Sequence, residues 1–173
     1  MKIIRLVGWR IRVAVSTRPD RKGWFNVLLH LCWLVPAILL CGFLGGFLDF
    51  ESSFDTSGLL ALAGVAFFAP ALGEELLFRA MLLPREEEGS ATLASILSVV
   101  LFVLWHPFQA LIFGVEAVPI FIDPWFLCAV AALGIALANI YRRTGSIWPC
   151  VLLHWFIVLA WKAFFGGPPS PFS

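Results

Sequence analysis

Charged residues are scarce in this sequence. They make up 13% of its 173 residues, whereas a soluble globular domain carries about a quarter. Hydrophobic residues account for 61%, more than a water-soluble core can absorb. The sequence has no internal repeat and no low-complexity domain. This balance excludes an ordinary soluble enzyme and favours a protein that lies largely within a lipid bilayer.

Cysteine is also sparse. All four cysteines fall inside apolar stretches and form no Cys-x-x-Cys pair: Cys32, Cys41, Cys128 and Cys150. This pattern indicates neither a disulfide framework nor a thiolate zinc site, so we expect these side chains to serve in packing. The sequence lacks the His-Glu-x-x-His motif of zinc proteases as well.

Several stretches are long and apolar enough to cross a membrane, which takes about 20 residues as a helix. They cover residues 26–48, 59–83, 92–113, 125–141 and 147–165. The sequence therefore predicts an all-α polytopic membrane bundle of about five transmembrane helices, embedded over residues 26–165. Residues 1–25 form a basic N-terminal segment, and the Gly- and Pro-rich residues 166–173 are expected to form a flexible tail.

Basic residues lie at the N-terminus and on alternate loops. Those that precede the first apolar stretch are Lys2, Arg5, Arg10, Arg12, Arg18, Arg21 and Lys22; those in later loops are Arg85, Arg142 and Arg143. Because Lys and Arg concentrate on the cytoplasmic side of a membrane, we expect a cytoplasmic N-terminus and an exterior C-terminus. The basic segment is too long for a signal peptide and suits anionic lipid rather than nucleic acid.

Three ionisable residues lie close together inside the second apolar stretch: Glu74, Glu75 and Arg79. At membrane depth such groups cost several kcal/mol unless they are paired or face a polar cavity. Glu75 and Arg79 are four residues apart and can form an ion pair. Glu74 points about 100° away on an α-helix and is expected to remain unpaired. A purely structural ion pair is the alternative, but it would not require Glu74.

Two histidines lie in other apolar stretches, His106 in the third and His154 in the fifth. At about 1.5 Å per residue, both share a range of depths with Glu74, roughly 10–21 Å from the cytoplasmic side. Either histidine alone would more often be a packing residue. Their coincidence with an unpaired carboxylate favours a site. His30, near the end of the first stretch, has no such companions and is expected at the interface or in packing.

The order of these motifs resembles the CPBP family of intramembrane proteases, which includes CAAX prenyl endopeptidases and bacterial Abi-type proteins. The resemblance covers residues 60–165. It is carried by Glu74-Glu75-x-x-x-Arg79, Phe102-x-x-x-His106, Arg143-Thr144-Gly145-Ser146-Ile147-Trp148-Pro149 and the later His154.

The resemblance implies an endopeptidase that cuts a membrane-associated or lipidated protein near its C-terminus. Glu74 would activate a water, His106 and His154 would bind that water or the developing oxyanion, and Glu75 with Arg79 would complete the site. A chain this compact fits a prokaryotic inner-membrane member. No cofactor is expected, although Glu74, His106 and His154 match the ligand count of a catalytic zinc site.

One position departs from the family pattern. The family usually has Asn four residues after the last histidine, where this sequence has Val158; Asn139 could supply a carboxamide instead. The departure leaves open a non-proteolytic immunity or binding protein of the same fold, which a cleavage assay would separate. A small transporter or proton relay is the other alternative, and a flux assay would identify it.

Overall fold

The computed structural model describes residues 2–49, 56–89, 91–116 and 118–167, and within these residues the chain is helical and has no strand. The α-helices are α1 (Lys2–Ser16), α2 (Arg21–Gly45), α3 (Thr56–Ala66), α4 (Thr92–Phe113), α5 (Pro124–Thr144) and α6 (Trp148–Phe164). Short 3₁₀ turns lie at Glu86–Glu88 and Pro119–Ile122. The predicted all-α bundle is confirmed.

The outward surfaces of the helices are apolar. Large side chains stand exposed, for example Leu60 at 71%, Leu93 at 70% and Leu111 at 75%. Such continuous apolar surface suits lipid rather than water. Four helical segments are long and apolar enough to span a membrane: Arg21–Gly45, Gly58–Glu88, Thr92–Phe113 and Pro124–Thr144; α6 is a shorter apolar helix. The chain is an integral membrane protein.

Helix α5 lies at the centre of the bundle and packs against α2, α4 and α6. Its buried face is rich in small residues, which allow neighbouring helices to approach closely. A side chain at Gly134 would place its Cβ 3.1 Å from Cδ1 of Phe102. The glycine therefore lets α4 bring Phe102 against α5, where the backbone carbonyl of Gly134 is also accessible to Arg79.

The second span changes its winding where the ionisable residues lie. After α3 the chain continues as a π-helix over Phe67–Glu74 and Leu76–Met81. Pro70 has no N–H to donate and its ring clashes with the carbonyl four residues earlier, so an unbroken α-helix is disfavoured here. The sequence predicted a regular helix over residues 59–83 and did not reveal this change. Such wide turns occur often at functional sites.

The basic N-terminal segment contains a helix, α1, that packs against the turn between α5 and α6. The backbone N of Ile147 lies 3.1 Å from the Ala14 carbonyl oxygen, and Oγ of Ser146 donates to the Thr17 carbonyl at 2.7 Å. These bonds place α1 and the α5–α6 turn on the same side of the bundle. The predicted flexible tail falls mostly on residues 168–173, outside the described residues.

Candidate active site

The π-helical part of the second span carries a buried ion pair between Glu75 and Arg79. Oε2 of Glu75 lies 3.2 Å from Nε of Arg79, and both side chains are fully buried. The guanidinium also donates through Nη2 to the Gly134 carbonyl at 3.3 Å and stacks on the Phe102 ring, with Cζ 4.3 Å from its centroid. The structure thus contains the pair that the four-residue spacing predicted.

His154 on α6 lies between the two carboxylates. Its Nδ1 is 3.0 Å from Oε1 of Glu75, and its Nε2 is 4.0 Å from Oε2 of Glu74. An ionised carboxylate can only accept hydrogen bonds, so Nδ1 carries the hydrogen in this contact. Nε2 is thereby left facing Glu74.

The prediction that Glu74 remains unpaired is wrong for one of its oxygens. Trp105 on α4 donates its indole N–H to Oε1 of Glu74 at 2.9 Å. A neighbouring helix therefore supplies the partner that the sequence of the second span could not show. Oε2 of Glu74 is buried and has no hydrogen-bond partner among the described residues. The carboxylate thus has one oxygen held by the indole and one available.

His106 directly follows Trp105 on α4, and a hydrogen bond to the backbone holds its ring. Its Nδ1 is 3.0 Å from the carbonyl oxygen of Phe102, so this nitrogen donates and Nε2 remains available. The ring packs edge-on against Phe102 and Phe121, with centroids 5.4 Å away in each case. Phe102 also contacts the His154 ring, at 5.7 Å between centroids. Phe102 thus packs against both histidine rings.

Glu74, His106 and His154 all line one cavity of about 720 Å³, and its walls are otherwise largely apolar. Trp105, Gln109 and Val158 also line it. Sequence reasoning missed Trp105 and Gln109, although both lie within a turn of His106 on the same helix.

Two other polar residues that the sequence analysis discussed lie outside the cavity. Asn139 is exposed near the end of α5 and does not line the cavity. His30 also lies outside it, where its Nδ1 bonds the Asn26 carbonyl oxygen at 2.8 Å. Neither residue belongs to the cluster formed by Glu74 and His154.

The candidate zinc ligands do not form a three-ligand set. Within the described ranges, no group of three His, Cys, Asp or Glu side chains is arranged to hold a metal ion. The available Nε2 of His154 and Oε2 of Glu74 make one pair, whereas a catalytic zinc site needs three protein ligands. The described residues therefore do not present three ligands to one metal position.

A buried carboxylate with one available oxygen, next to an imidazole nitrogen in an apolar cavity, can hold and deprotonate a water. One protein family has a sequence model that matches residues 56–160, described as type II CAAX prenyl endopeptidase Rce1-like. The match covers more than half of the chain. The chain belongs to this Rce1-like family. It is accordingly a CAAX-type intramembrane endopeptidase.

The Rce1-like match includes every residue of the cluster and ends within α6, whereas α1 and α2 lie outside it. Comparison with curated proteins gives no match, and comparison with solved structures gives none. Family membership therefore rests on the motif-bearing part of this Rce1-like chain.

Proposed function

We propose that this protein hydrolyses a peptide bond near the C-terminus of a membrane-associated or lipidated protein, with Glu74 as the general base for a water. The observation that carries the proposal is the 4.0 Å separation of Glu74 Oε2 and His154 Nε2. That distance is too long for a direct hydrogen bond, but a water between the two atoms can bond both.

In the proposed reaction, Glu74 first accepts a proton from the water and later gives it to the leaving nitrogen. Glu74 Oε2 takes a proton from the water as the water oxygen attacks the carbonyl carbon of the substrate. The tetrahedral intermediate then collapses, and Glu74 returns the proton to the leaving nitrogen as the C–N bond breaks. The indole of Trp105 holds Oε1, which keeps Oε2 directed towards the water.

Glu75 and Arg79 act through His154. The carboxylate of Glu75 holds the Nδ1 hydrogen of His154, so the ring in its neutral form presents an acceptor at Nε2. The water then has an acceptor at each hydrogen, and its lone pair is available for attack. Arg79 balances the charge of Glu75 in a fully buried setting, where an unpaired carboxylate would be costly.

The cavity walls support a hydrophobic substrate. The lining residues on α2, α3 and α5 are apolar, for example Leu39, Val65 and Val130, and Leu77 on the π-helical part of the second span adds to them. Apolar cavities with a few convergent polar groups are the usual form of small-molecule and lipid sites. A substrate that carries a hydrocarbon chain or a membrane-embedded segment would match this lining.

The test is cleavage of an internally quenched farnesylated peptide that ends in a CAAX sequence, using the purified protein in proteoliposomes. We expect the full-length protein to release fluorescence from this peptide faster than from its non-prenylated twin. Binding of both peptides without cleavage of either would support the immunity or binding alternative. A proton flux without cleavage would support the transporter alternative.

A further inference from the structure

The proposed reaction develops negative charge on the substrate's carbonyl oxygen, and this charge needs a hydrogen-bond donor. The side-chain donors around the cavity are largely committed to other acceptors. Trp105 donates to Glu74, and Trp161 donates to the Phe47 carbonyl at 3.3 Å.

The two histidines also use their Nδ1 hydrogens. His106 donates to the Phe102 carbonyl, and His154 donates to Glu75. In their neutral forms both histidines then present only an acceptor.

Two further donors line the cavity, Lys162 and Gln109. Lys162 lies eight residues beyond His154 on α6, which is about 12 Å further along the helix axis. It is therefore too distant to reach an oxygen that lies beside Glu74 and His154. Gln109 is the neutral donor that remains, and its carboxamide makes no hydrogen bond with another described residue.

Gln109 lies on the α4 wall of the cavity, next to Trp105. It follows Trp105 by four residues on α4, so the two side chains are neighbours on one helical face. Side chains on a helix lean towards its N-terminus, which for Gln109 is the direction of the turn that holds Trp105 and His106. Gln109 lines the same cavity as Glu74 and His154, and its helical neighbour Trp105 donates to Glu74. Val158, on the α6 wall, brings no donor.

We infer that Gln109 donates an N–H to the carbonyl oxygen of the scissile bond and stabilises the tetrahedral intermediate. This inference rests on the proposed function. The carboxamide of Gln109 is only partly buried and faces a largely apolar cavity, so the developing oxyanion would be a hydrogen-bond acceptor that the cavity walls do not otherwise offer it. The contact strengthens as charge develops, so it should contribute to kcat more than to substrate affinity.

The test compares two farnesylated CAAX peptides that cannot be cut, bound to the full chain. One has a phosphonamidate in place of the scissile amide and carries the oxygens of the tetrahedral intermediate; the other has a reduced amide without that oxygen. In Gln109→Leu we expect affinity for the phosphonamidate to fall about 100-fold, the typical loss for one oxyanion donor, with little change for the reduced amide. kcat should fall by the same factor, with KM nearly unchanged.

The matched control is Asn139→Leu, which removes an exposed carboxamide outside the cavity and should leave both affinities and kcat unchanged. Gln109→Met serves as a second variant of similar length, and a thermal melt checks that each variant is folded. Equal losses of affinity for the two peptides, or a wild-type kcat in folded Gln109→Leu, would overturn the inference. Failure of the wild-type chain to cut any farnesylated CAAX peptide would instead remove the proposed function and this inference with it.

Discussion

The indole nitrogen of Trp105 lies 2.9 Å from Oε1 of Glu74 and joins α4 to the π-helical part of the second span. The bond fixes the orientation of the carboxylate, since only Oε2 then remains directed towards His154. The two residues are 31 positions apart in sequence. In the proposed reaction, Trp105 is a positioning residue that leaves Oε2 of Glu74 as the base.

Replacing Trp105 with Phe should keep the aromatic packing and remove the hydrogen bond to Glu74. We expect kcat to fall by up to about 100-fold, the scale of effect when a reacting group is displaced by about 1 Å, with a smaller change in KM. Trp155→Phe is the control because it also removes one indole hydrogen bond, to the Ala63 carbonyl, away from Glu74. If both variants lose activity equally, Trp105 has no special role.

The Glu75 and Arg79 pair should govern stability. Glu75→Gln leaves the buried guanidinium without its counter-charge, and breaking a buried pair in this way costs about 3–5 kcal/mol of unfolding free energy. The double change Glu75→Gln/Arg79→Gln should recover part of the loss. Thermal melts in detergent measure both effects. A Glu75→Gln protein as stable as wild type would contradict the role of the pair.

Topology gives a separate prediction. Because α1 is hydrogen-bonded to the α5–α6 turn, residue 22 and Arg143 must lie on one side of the membrane. The excess of Lys and Arg there predicts that this side is cytoplasmic. Reporter fusions at these two positions should read cytoplasmic, and a fusion after Phe165 should read exterior. A cytoplasmic reading after Phe165 would contradict the five-span arrangement.

Metal removal should leave activity intact, because the reaction proposed for Glu74 uses a water and no bound ion. The purified protein, dialysed against a strong chelator, should cut the farnesylated CAAX peptide at its original rate. A loss of activity that zinc alone restores would show that Glu74, His106 and His154 act as metal ligands.

The sequence was a good guide to the spans and to the Glu75–Arg79 pair. The predicted third span, residues 92–113, coincides with α4, while α2 begins at Arg21 rather than at residue 26. These features depend on local apolarity and on helical spacing, which a sequence displays directly. The π-helical winding after Ala66 was missed because the hydrogen-bond register beside Pro70 depends on packing against other helices.

The partners of Glu74 and His154 could not be predicted for the same reason. In the sequence, Trp105 is one aromatic residue among many in an apolar stretch. Only the packing of α4 against the second span brings its indole to the carboxylate of Glu74. His154 lies next to both Glu75 and Glu74, whereas the prediction from the sequence gave the two carboxylates separate surroundings. Contacts between helices are set by rotation and depth, and a single sequence constrains these weakly.

The proposed role of Glu74 as general base is tested by the single-turnover rate of Glu74→Gln on the farnesylated CAAX peptide. This change keeps the side-chain volume and an oxygen that can accept from Trp105, but removes the basic carboxylate. We predict a folded protein that binds the peptide with wild-type affinity and cuts it at least about 100-fold more slowly, the scale of lost general-base catalysis. A folded Glu74→Gln protein that cuts at the wild-type rate would show that Glu74 is not the base.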